Sequence, residues 1–420
     1  MVSLGCPKNL VDSEYICERL IQAGYTLKRD ASQAQLVIVN TCAFLTSAVE
    51  ESIQTLLEYL QEGKTVVCAG CLVSRYGREI LDELPEISLF AGPGTYGDLE
   101  RALVSGERYL APRFDSVVRR AFCSTGASAY VKLSEGCSNH CRYCLIPSIR
   151  GELVSKPFEV VLDECRALAR QGVKELILVG QDIGSYGSDL GLGDGLVRLL
   201  PAVAEIEGIA WVRPLYIHPA AVSKALVRTI AENQRICRSI EMPIQHVSER
   251  VLNAMGRRGG SLAVRQALDL AKEAGIWIRT TLMLGHPGED EGAFRELERC
   301  VAQGYFDSLG GFTYSPEPGT ASARLPRVDP EEAQARLEHI MTLQREVSRA
   351  KLKSFIGRRL SVLLEGYHSE TDLLLAGRTG FQVPEVDGQV LINDGMAPFG
   401  TIVTVEIEDA LDYDLLGRIL

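Results

Sequence analysis

Apolar and polar positions along the chain fall into three successive patterns. Up to residue 110, short apolar runs (Leu36-Val37-Ile38-Val39, Val66-Val67, Leu89-Phe90) alternate with stretches whose apolar residues recur at helical spacing, 12–23 and 46–60. The runs read as buried strands, and the second helical stretch has Thr46 or Ser47 as its N-cap. Such alternation predicts a doubly wound α/β domain with a parallel sheet. Its opening strand, Val2-Ser3-Leu4, is short for a central position. A linker with Pro112 and an arginine pair follows over 111–128. Six strand–helix units then span 129–356, with strands at 130–133, 175–179, 211–217, 239–244, 278–284 and 309–314. Helices are predicted at 160–170, 221–233, 262–274 and 294–302, and a longer one at 330–356 carries Leu337, Ile340, Met341 and Val347 on one apolar face. Six units are too few to close an eight-stranded barrel but make a partial (β/α)6 barrel, whose functional groups sit at the C-terminal strand ends. From 357 to 420, apolar runs alternate with Gly and Asp turns, as in a small β-barrel.

Composition narrows the function class. A chain of 420 residues, 46% hydrophobic and 24% charged, is a globular protein of two or three domains. No apolar run is long enough to span a membrane, and the start lacks the basic-then-apolar pattern of a secretory signal. A cytoplasmic location is expected, with no membrane partner. The net charge of −11 argues against a fold held to nucleic acid by electrostatics. Twelve cysteines in a reducing compartment point to metal or catalytic ligands rather than disulfides.

The densest cysteine group is Cys137-Ser-Asn-His-Cys141-Arg-Tyr-Cys144, just after a predicted strand and Gly136. Three thiolates within eight residues can wrap one corner of a [4Fe–4S] cluster and leave its fourth iron open. A zinc knuckle with His140 as fourth ligand is the competing reading. Cys6, Cys42 and Cys71 each follow a predicted strand, and strand ends along one edge of a parallel sheet converge, so these three can meet as a second ligand set. Single strand-end cysteines are usually small buried hydrophobes. Cys17, Cys68, Cys123, Cys165, Cys237 and Cys300 are read as ordinary core or surface residues, Cys68 because its odd spacing from Cys71 turns the two to opposite faces.

The three-spacer, two-spacer motif with Tyr143 before its last cysteine resembles the radical S-adenosylmethionine superfamily. The longer strings SLGCPKNLVDSE, NTC, GCL, EGCSNHCRYCLIPSIRG, IEMPIQHVSERVLNAMGR and GFTYSPEPGTAS, with the ending DYDLLG, resemble the methylthiotransferase family over the whole chain. Within it they resemble the branch acting on an aspartate of small-subunit ribosomal protein twelve. The resemblance implies a methylthiotransferase domain over 1–110, a radical S-adenosylmethionine domain over 129–356 and a TRAM-like barrel over 357–420. It implies two [4Fe–4S] clusters, on Cys6, Cys42 and Cys71 and on Cys137, Cys141 and Cys144, with S-adenosyl-L-methionine on the open iron of the latter. The radical generated there would take hydrogen from the unactivated β-carbon of the aspartate, and a methylthio group would follow from the first cluster. No acid–base pair could do this, because that C–H bond is too weakly acidic. Tyr143, Gly180, Gln181, Gln245, Gly285 and Gly288 match positions that hold S-adenosylmethionine in the family. The family usually carries more residues ahead of its first cysteine strand.

Two other functions compete. A tRNA adenosine methylthiotransferase would share both clusters and all three domains, and a non-enzymatic iron–sulfur or zinc protein would need no barrel. Charge separates the first from the ribosomal reading. Residues 357–420 hold four arginines, no lysine and eleven acidic residues, a balance of −7. Such a domain repels phosphates and attracts a basic ribosomal protein, through residues such as Glu385, Asp387, Glu406, Glu408 and Asp409. A reductant protein such as flavodoxin or ferredoxin is the other expected partner, and tRNA is not.

Overall fold

The N-terminal apolar runs form one parallel sheet in a computed structural model that describes residues 1–114, 120 and 126–420. Its strands are β1 (Val2–Ser3), β2 (Leu36–Thr41), β3 (Thr65–Gly70), β4 (Leu89–Ala91) and β5 (Tyr109–Leu110), paired in chain order. Alternating side chains bury both faces. Ile38, Val67 and Leu89 meet Ile16 and Leu20 of α1 (Pro7–Gln22), while Val37, Val66 and Phe90 meet Val49 and Leu56 of α2 (Thr46–Gln61). Helix α1 begins earlier than the pattern suggested, because Pro7 at its first position is preset for helix. The expected cap of α2 is a correction. Thr46 is the first helical residue, and no side chain of the neighbouring chain positions caps it. Glu317, far along the chain, accepts from the Thr46 N–H at 3.0 Å, from its hydroxyl at 3.0 Å and from Arg75 at 2.9 Å. A distant carboxylate thus ties the first sheet to the barrel.

The second region holds β6 (Ser128–Lys132), a small antiparallel pair β7 (Ser134–Glu135) and β8 (Val154–Ser155), and then β9 (Glu175–Val179), β10 (Trp211–Pro214), β11 (Ser239–Glu241), β12 (Trp277–Leu284) and β13 (Ser308–Thr313). The six long members form two parallel three-stranded arcs, ordered β10-β9-β6 and β11-β12-β13. A single Val212–Ile236 bridge and the Ile217 N–H to Glu241 carbonyl bond, 2.9 Å, join them. Two strands close before the ends read from sequence. β10 stops at Pro214, and β11 stops two residues before Pro243, since proline cannot donate to a ladder. Helix Gly195–Ala204, with Pro201 inside, escaped the sequence reading for the same kind of reason: proline is a breaker signal.

Outward residues such as Val131, Leu178, Val212 and Ile240 join the main core under the helices. Inward residues include Lys132, Glu175, Ile177, Arg213, Glu241 and Arg279, a polar lining that needs cover. Helix α1 covers one part: Lys132 pairs with Asp12, and Val11 packs on Ile177 and Val179. The C-terminal domain covers the rest. After the helix Pro330–Lys353, strands β14 (Arg359–His368), β15 (Thr371–Thr379), β16 (Val390–Asp394), β17 (Ile402–Ala410) and β18 (Leu415–Ile419) close a barrel in the order β14-β15-β16-β18-β17. Arg378, at the end of β15, reaches Glu175 at 2.7 Å, and Arg213 donates to the carbonyls of Gly380 (2.9 Å) and Thr379 (3.4 Å). Asp387 lies 3.6 Å from Arg279 and is nearly buried, which corrects its assignment to an exposed docking face. Glu406 pairs with Arg418 at 2.8 Å. Among the described residues, no helix is long and apolar enough to cross a membrane.

Candidate active site

Three cysteines meet at the C-terminal end of the first sheet because three adjacent strands each end in one. Cys6 precedes α1, Cys42 follows β2, and Cys71 opens the helix Cys71–Tyr76 after β3. The approach is close. Gly5 has φ +82°, and a Cβ there would stand 2.7 Å from the Cys42 Cβ and 2.9 Å from its Sγ. Asn9 fixes the turn by donating to the carbonyls of Leu4 (2.9 Å) and Thr41 (3.0 Å), and Asn40 donates back to the Asn9 carbonyl at 2.8 Å. The three thiols feel one another's charge. Burial pushes Cys71 up to about 11, with Cys6 and Cys42 adding to the rise against Arg150. Burial also raises Cys42. Cys6 is the exception: burial acts upward, but Lys8, Arg150 and the N–H groups of Asn9 and Lys8 outweigh it.

Arg150 reaches this set from the barrel. It ends the short helix Ile146–Arg150 just past Cys144, is buried, and donates its Nε–H to the Cys71 Sγ at 3.2 Å. Its other nitrogens bond Asp12 at 2.9 Å, Glu135 at 3.4 Å and the Asn9 side-chain oxygen. Lys132 bridges the same two carboxylates, with Glu135 at 2.8 Å. The sequence reading did not select Arg150. Its only local signal was position, directly after a ligand motif and before Gly151.

Cys137, Cys141 and Cys144 sit on the loop after β7, pinned by the Cys137 N–H to Gly151 carbonyl bond at 3.0 Å. Gly136 has φ +67°, and any Cβ there would collide with the Gly151 and Glu152 carbonyls. Burial pushes Cys144 up to about 12, with the charges of Cys141 and Cys137 further causes. The Cys137 Sγ accepts from Asn139 at 3.4 Å, and Asn139 donates to Asp182 at 2.8 Å. Asp182 is buried and also accepts from the N–H groups of Gly184 and His218, both at 3.1 Å. Arg257 lies 3.7 Å from the Cys141 Sγ and 3.3 Å from the Tyr143 hydroxyl. His140 is exposed and stands 3.3 Å from Glu152, so it is engaged by a surface carboxylate.

A cavity of about 280 Å³ opens beside Cys137, lined by Asn139, Asp182, Ser185, Asp189 and Arg258 among others. The remaining expected residues divide. Gly180 begins the turn carrying Asp182, and a Cβ on it would meet the Ser134 hydroxyl at 2.9 Å. Gln181 is partly exposed in the same turn. Gln245 is buried at φ +69° with its Oε1 unpartnered, whereas the Nε2 of the buried His246 next to it makes no hydrogen bond but stands 3.8 Å from the Glu289 carboxylate. Gly285 is explained by packing, because a Cβ would run into Ala333 of the long helix. Gly288 has φ +97°, with Ala254 at 3.3 Å from any added Cβ. Tyr143 is edge-on to His286, ring centres 6.1 Å apart.

Cys68 is buried in β3 and its thiol is pushed up to about 12 by burial, as for a core residue. The reason differs from the one read in sequence: the strand ends at Gly70, so Cys71 does not share it. Cys123 lies outside the described residues. Among those described, no three His, Cys, Asp or Glu side chains close on one point as around a single ion. A cluster asks for a wider arrangement, because each thiolate binds a separate iron. Soft sulfur donors, a cation on Cys71 and two sets of three mutually coupled thiols fit such clusters in both places. The unpartnered Gln245 oxygen at a strand end, with the cavity beside Cys137, fits a polar ligand near the second set.

Family comparisons agree along the chain. Residues 1–92 match an uncharacterized protein family, UPF0004; 131–301 match the Radical SAM superfamily; and 356–420 match the TRAM domain. Among solved structures, the chain resembles the radical S-adenosylmethionine methyltransferase TsrM of Kitasatospora setae, with cobalamin and a [4Fe–4S] cluster bound. That match has a TM-score of 0.56 and 15% identity over 74% of this chain and 72% of that one, a likeness of fold. Among curated relatives, the ribosomal protein uS12 methylthiotransferase RimO of Anaeromyxobacter sp. (strain Fw109-5) is 44% identical over the whole chain and 92% of that protein. RimO of Syntrophobacter fumaroxidans is 42% identical over the whole chain and 98% of that protein. With identity at this level along its entire length, the chain belongs to the RimO family of radical S-adenosylmethionine methylthiotransferases.

Proposed function

We propose that this protein transfers a methylthio group to the β-carbon of an aspartate in ribosomal protein uS12. In this reading one [4Fe–4S] cluster is held by Cys6, Cys42 and Cys71 and another by Cys137, Cys141 and Cys144. The observation that carries it is the pair of three-thiol sets, one at the strand ends of the first sheet and one on the loop after β7, linked by Arg150, which follows Cys144 by six residues and bonds the Cys71 sulfur. Loaded, the second cluster with S-adenosylmethionine supplies radical chemistry and the first supplies the sulfur. The protein's own part is placement. Arg150 holds a positive charge against the Cys71 sulfur, and its carboxylate partners keep it there. Asn139 and Asp182 orient the Cys137 loop, while Gln245 offers a free carbonyl oxygen to a polar ligand. Tyr143, Gly180, Gln181, Gly285 and Gly288 shape the surrounding turns. Low local dielectric strengthens each of these contacts.

Exposed carboxylates of the C-terminal barrel, including Glu408 and Asp409, suit a basic ribosomal protein and disfavour an RNA backbone. The electron is assigned to a small reductant protein of the flavodoxin or ferredoxin type. The test is anaerobic incubation of reconstituted enzyme with S-adenosylmethionine, a low-potential reductant and either uS12 or tRNA, followed by mass spectrometry. Methylthio-aspartate in uS12 is the expected product. Modified tRNA adenosine with untouched uS12 would overturn the assignment.

A further inference from the structure

Most cations near the first cysteine set are committed. Arg150 and Lys132 share Asp12 and Glu135, Arg279 faces Asp387, and Arg75 bonds Glu317. Lys8 differs. It lies in the first turn of α1, two residues from Cys6, and is only 7% exposed. Its ammonium sits 3.8 Å from the centre of the Tyr216 ring and, among the described residues, makes no hydrogen bond and no ion pair within 4.0 Å; the buried Glu241 carboxylate, which Arg279 also faces, feels its charge only from further away. A buried ammonium that touches a ring face and has its acid at a distance lacks close acceptors, and burying a charge without hydrogen-bond partners is costly. Tyr216 itself is held at φ +65° just past the end of β10, so the barrel spends backbone strain to present that ring to the helix of the other domain.

We infer that Lys8 is the residue that binds the side-chain carboxylate of the substrate aspartate. This rests on the function proposed above. The acceptor β-carbon is bonded directly to that carboxylate carbon. Wherever the β-carbon meets the sulfur held at the first cysteine set, the carboxylate must stand within a few ångströms of the same spot. Lys8 places a cation there: it follows Cys6 by two residues in the first turn of α1, and its charge is felt at Cys6. The ion pair forms only when substrate arrives, and Tyr216 holds the ammonium in line until then. Lys8 is therefore a specificity residue, which distinguishes aspartate from asparagine.

The experiment compares two uS12-derived peptides, one with the native aspartate and one with asparagine in its place, on reconstituted wild-type, Lys8→Arg and Lys8→Met enzymes. Iron content and substrate-free reductive cleavage of S-adenosylmethionine are measured on each preparation. Wild type should prefer the aspartate peptide in kcat/KM by about thirtyfold or more, the smallest loss expected when one member of a buried charged pair goes unmatched. Lys8→Arg should keep the preference, and Lys8→Met should lose it with iron content and cleavage retained. If Lys8→Met keeps a wild-type preference, or wild type shows none while modifying aspartate, the inference is overturned. If Lys8→Met loses its iron, Lys8→Arg decides: a cation retained with preference lost also overturns it. If wild type modifies neither peptide nor intact uS12, the underlying function fails, and Lys8 is not what failed.

Discussion

Replacing Glu175 by glutamine should loosen the C-terminal barrel from the rest of the molecule. Glu175 accepts from the Arg213 Nε–H at 2.7 Å, from Arg378 at 2.7 Å and from the Ser128 hydroxyl at 2.9 Å. All three charged groups are inaccessible to solvent or nearly so. Arg378 keeps Glu365 at 2.7 Å when Glu175 is neutralised, whereas Arg213 keeps only backbone carbonyls. Removing one partner of a buried ion pair costs about 3–5 kcal/mol. A second route gives a similar size. Burial works to raise the Glu175 carboxyl, but Arg213 and Arg378 outweigh it and hold it at about 2 instead of 4.5. A depression of that size corresponds to about 3 kcal/mol. Because the folded value lies below the unfolded one, this stability is fully present above pH 4.5 and is lost as pH falls toward about 2. Hydrogen exchange over residues 357–420, with urea titrations at several pH values, would read it. Glu175→Gln should expose that segment first and lack the acid-dependent component. A variant within about 1 kcal/mol of wild type, with an unchanged acid profile, would refute the reasoning.

Other outcomes follow from the cysteine sets and their supports. Reconstituted protein should bind about eight irons, four per three-cysteine cluster, and a Cys137, Cys141, Cys144 triple-alanine variant should keep about half; loss of all iron would contradict independent sites. Gly5→Ala should displace Cys42 and lower iron at the first set while leaving cleavage of S-adenosylmethionine intact, measured by iron content and nucleoside release. Arg150→Met should destabilise the junction by about 3 kcal/mol or more, because Asp12 and Glu135 would lose one of two shared cations, with a shifted reduction potential at the first cluster; Arg150→Lys should recover part of the stability. Charge reversal at Glu408 and Asp409 should weaken uS12 binding most at low salt, because exposed charges are screened over about 10 Å at 0.1 M. Binding unaffected by salt or reversal would reduce that face to a solvated one.

Much of the site was legible because its chemistry is local in sequence. A Cys-x3-Cys-x2-Cys run and three cysteines at strand ends carry their geometry with them, since parallel strands align their ends. The strands were legible for the same reason, as apolar runs of the right length. What sequence did not disclose are groups whose partners lie in another domain. Glu317 caps α2 from more than two hundred and fifty positions away, a separation of 271 residues. Arg150 reads as an ordinary arginine after a ligand motif until Asp12, Asn9 and Cys71 are brought to it. Asp387 reads as surface charge until Arg279 is found beneath it. Local pattern reports periodicity and burial, whereas these contacts depend on how three separately patterned units dock.

That docking has a consequence for the chemistry. The inner wall of the open barrel is polar, and in a closed barrel other strands would cover it. Here α1 and the C-terminal domain share that cover, and Cys6 is the N-cap of α1. One helix therefore carries Cys6 at its N-cap, Lys8 and Asn9 in its first turn, and Asp12 one turn on. Asp12 meets Arg150 and Lys132, which belong to the barrel on either side of the second cysteine motif. The two thiol sets are thus joined by helix α1 and a buried four-member charge network of Asp12, Glu135, Lys132 and Arg150. A reaction that must pass a hydrogen to one site and receive sulfur from another at the same carbon needs both sites at a fixed separation. Breaking that network should therefore uncouple cleavage of S-adenosylmethionine from transfer before it abolishes either cluster.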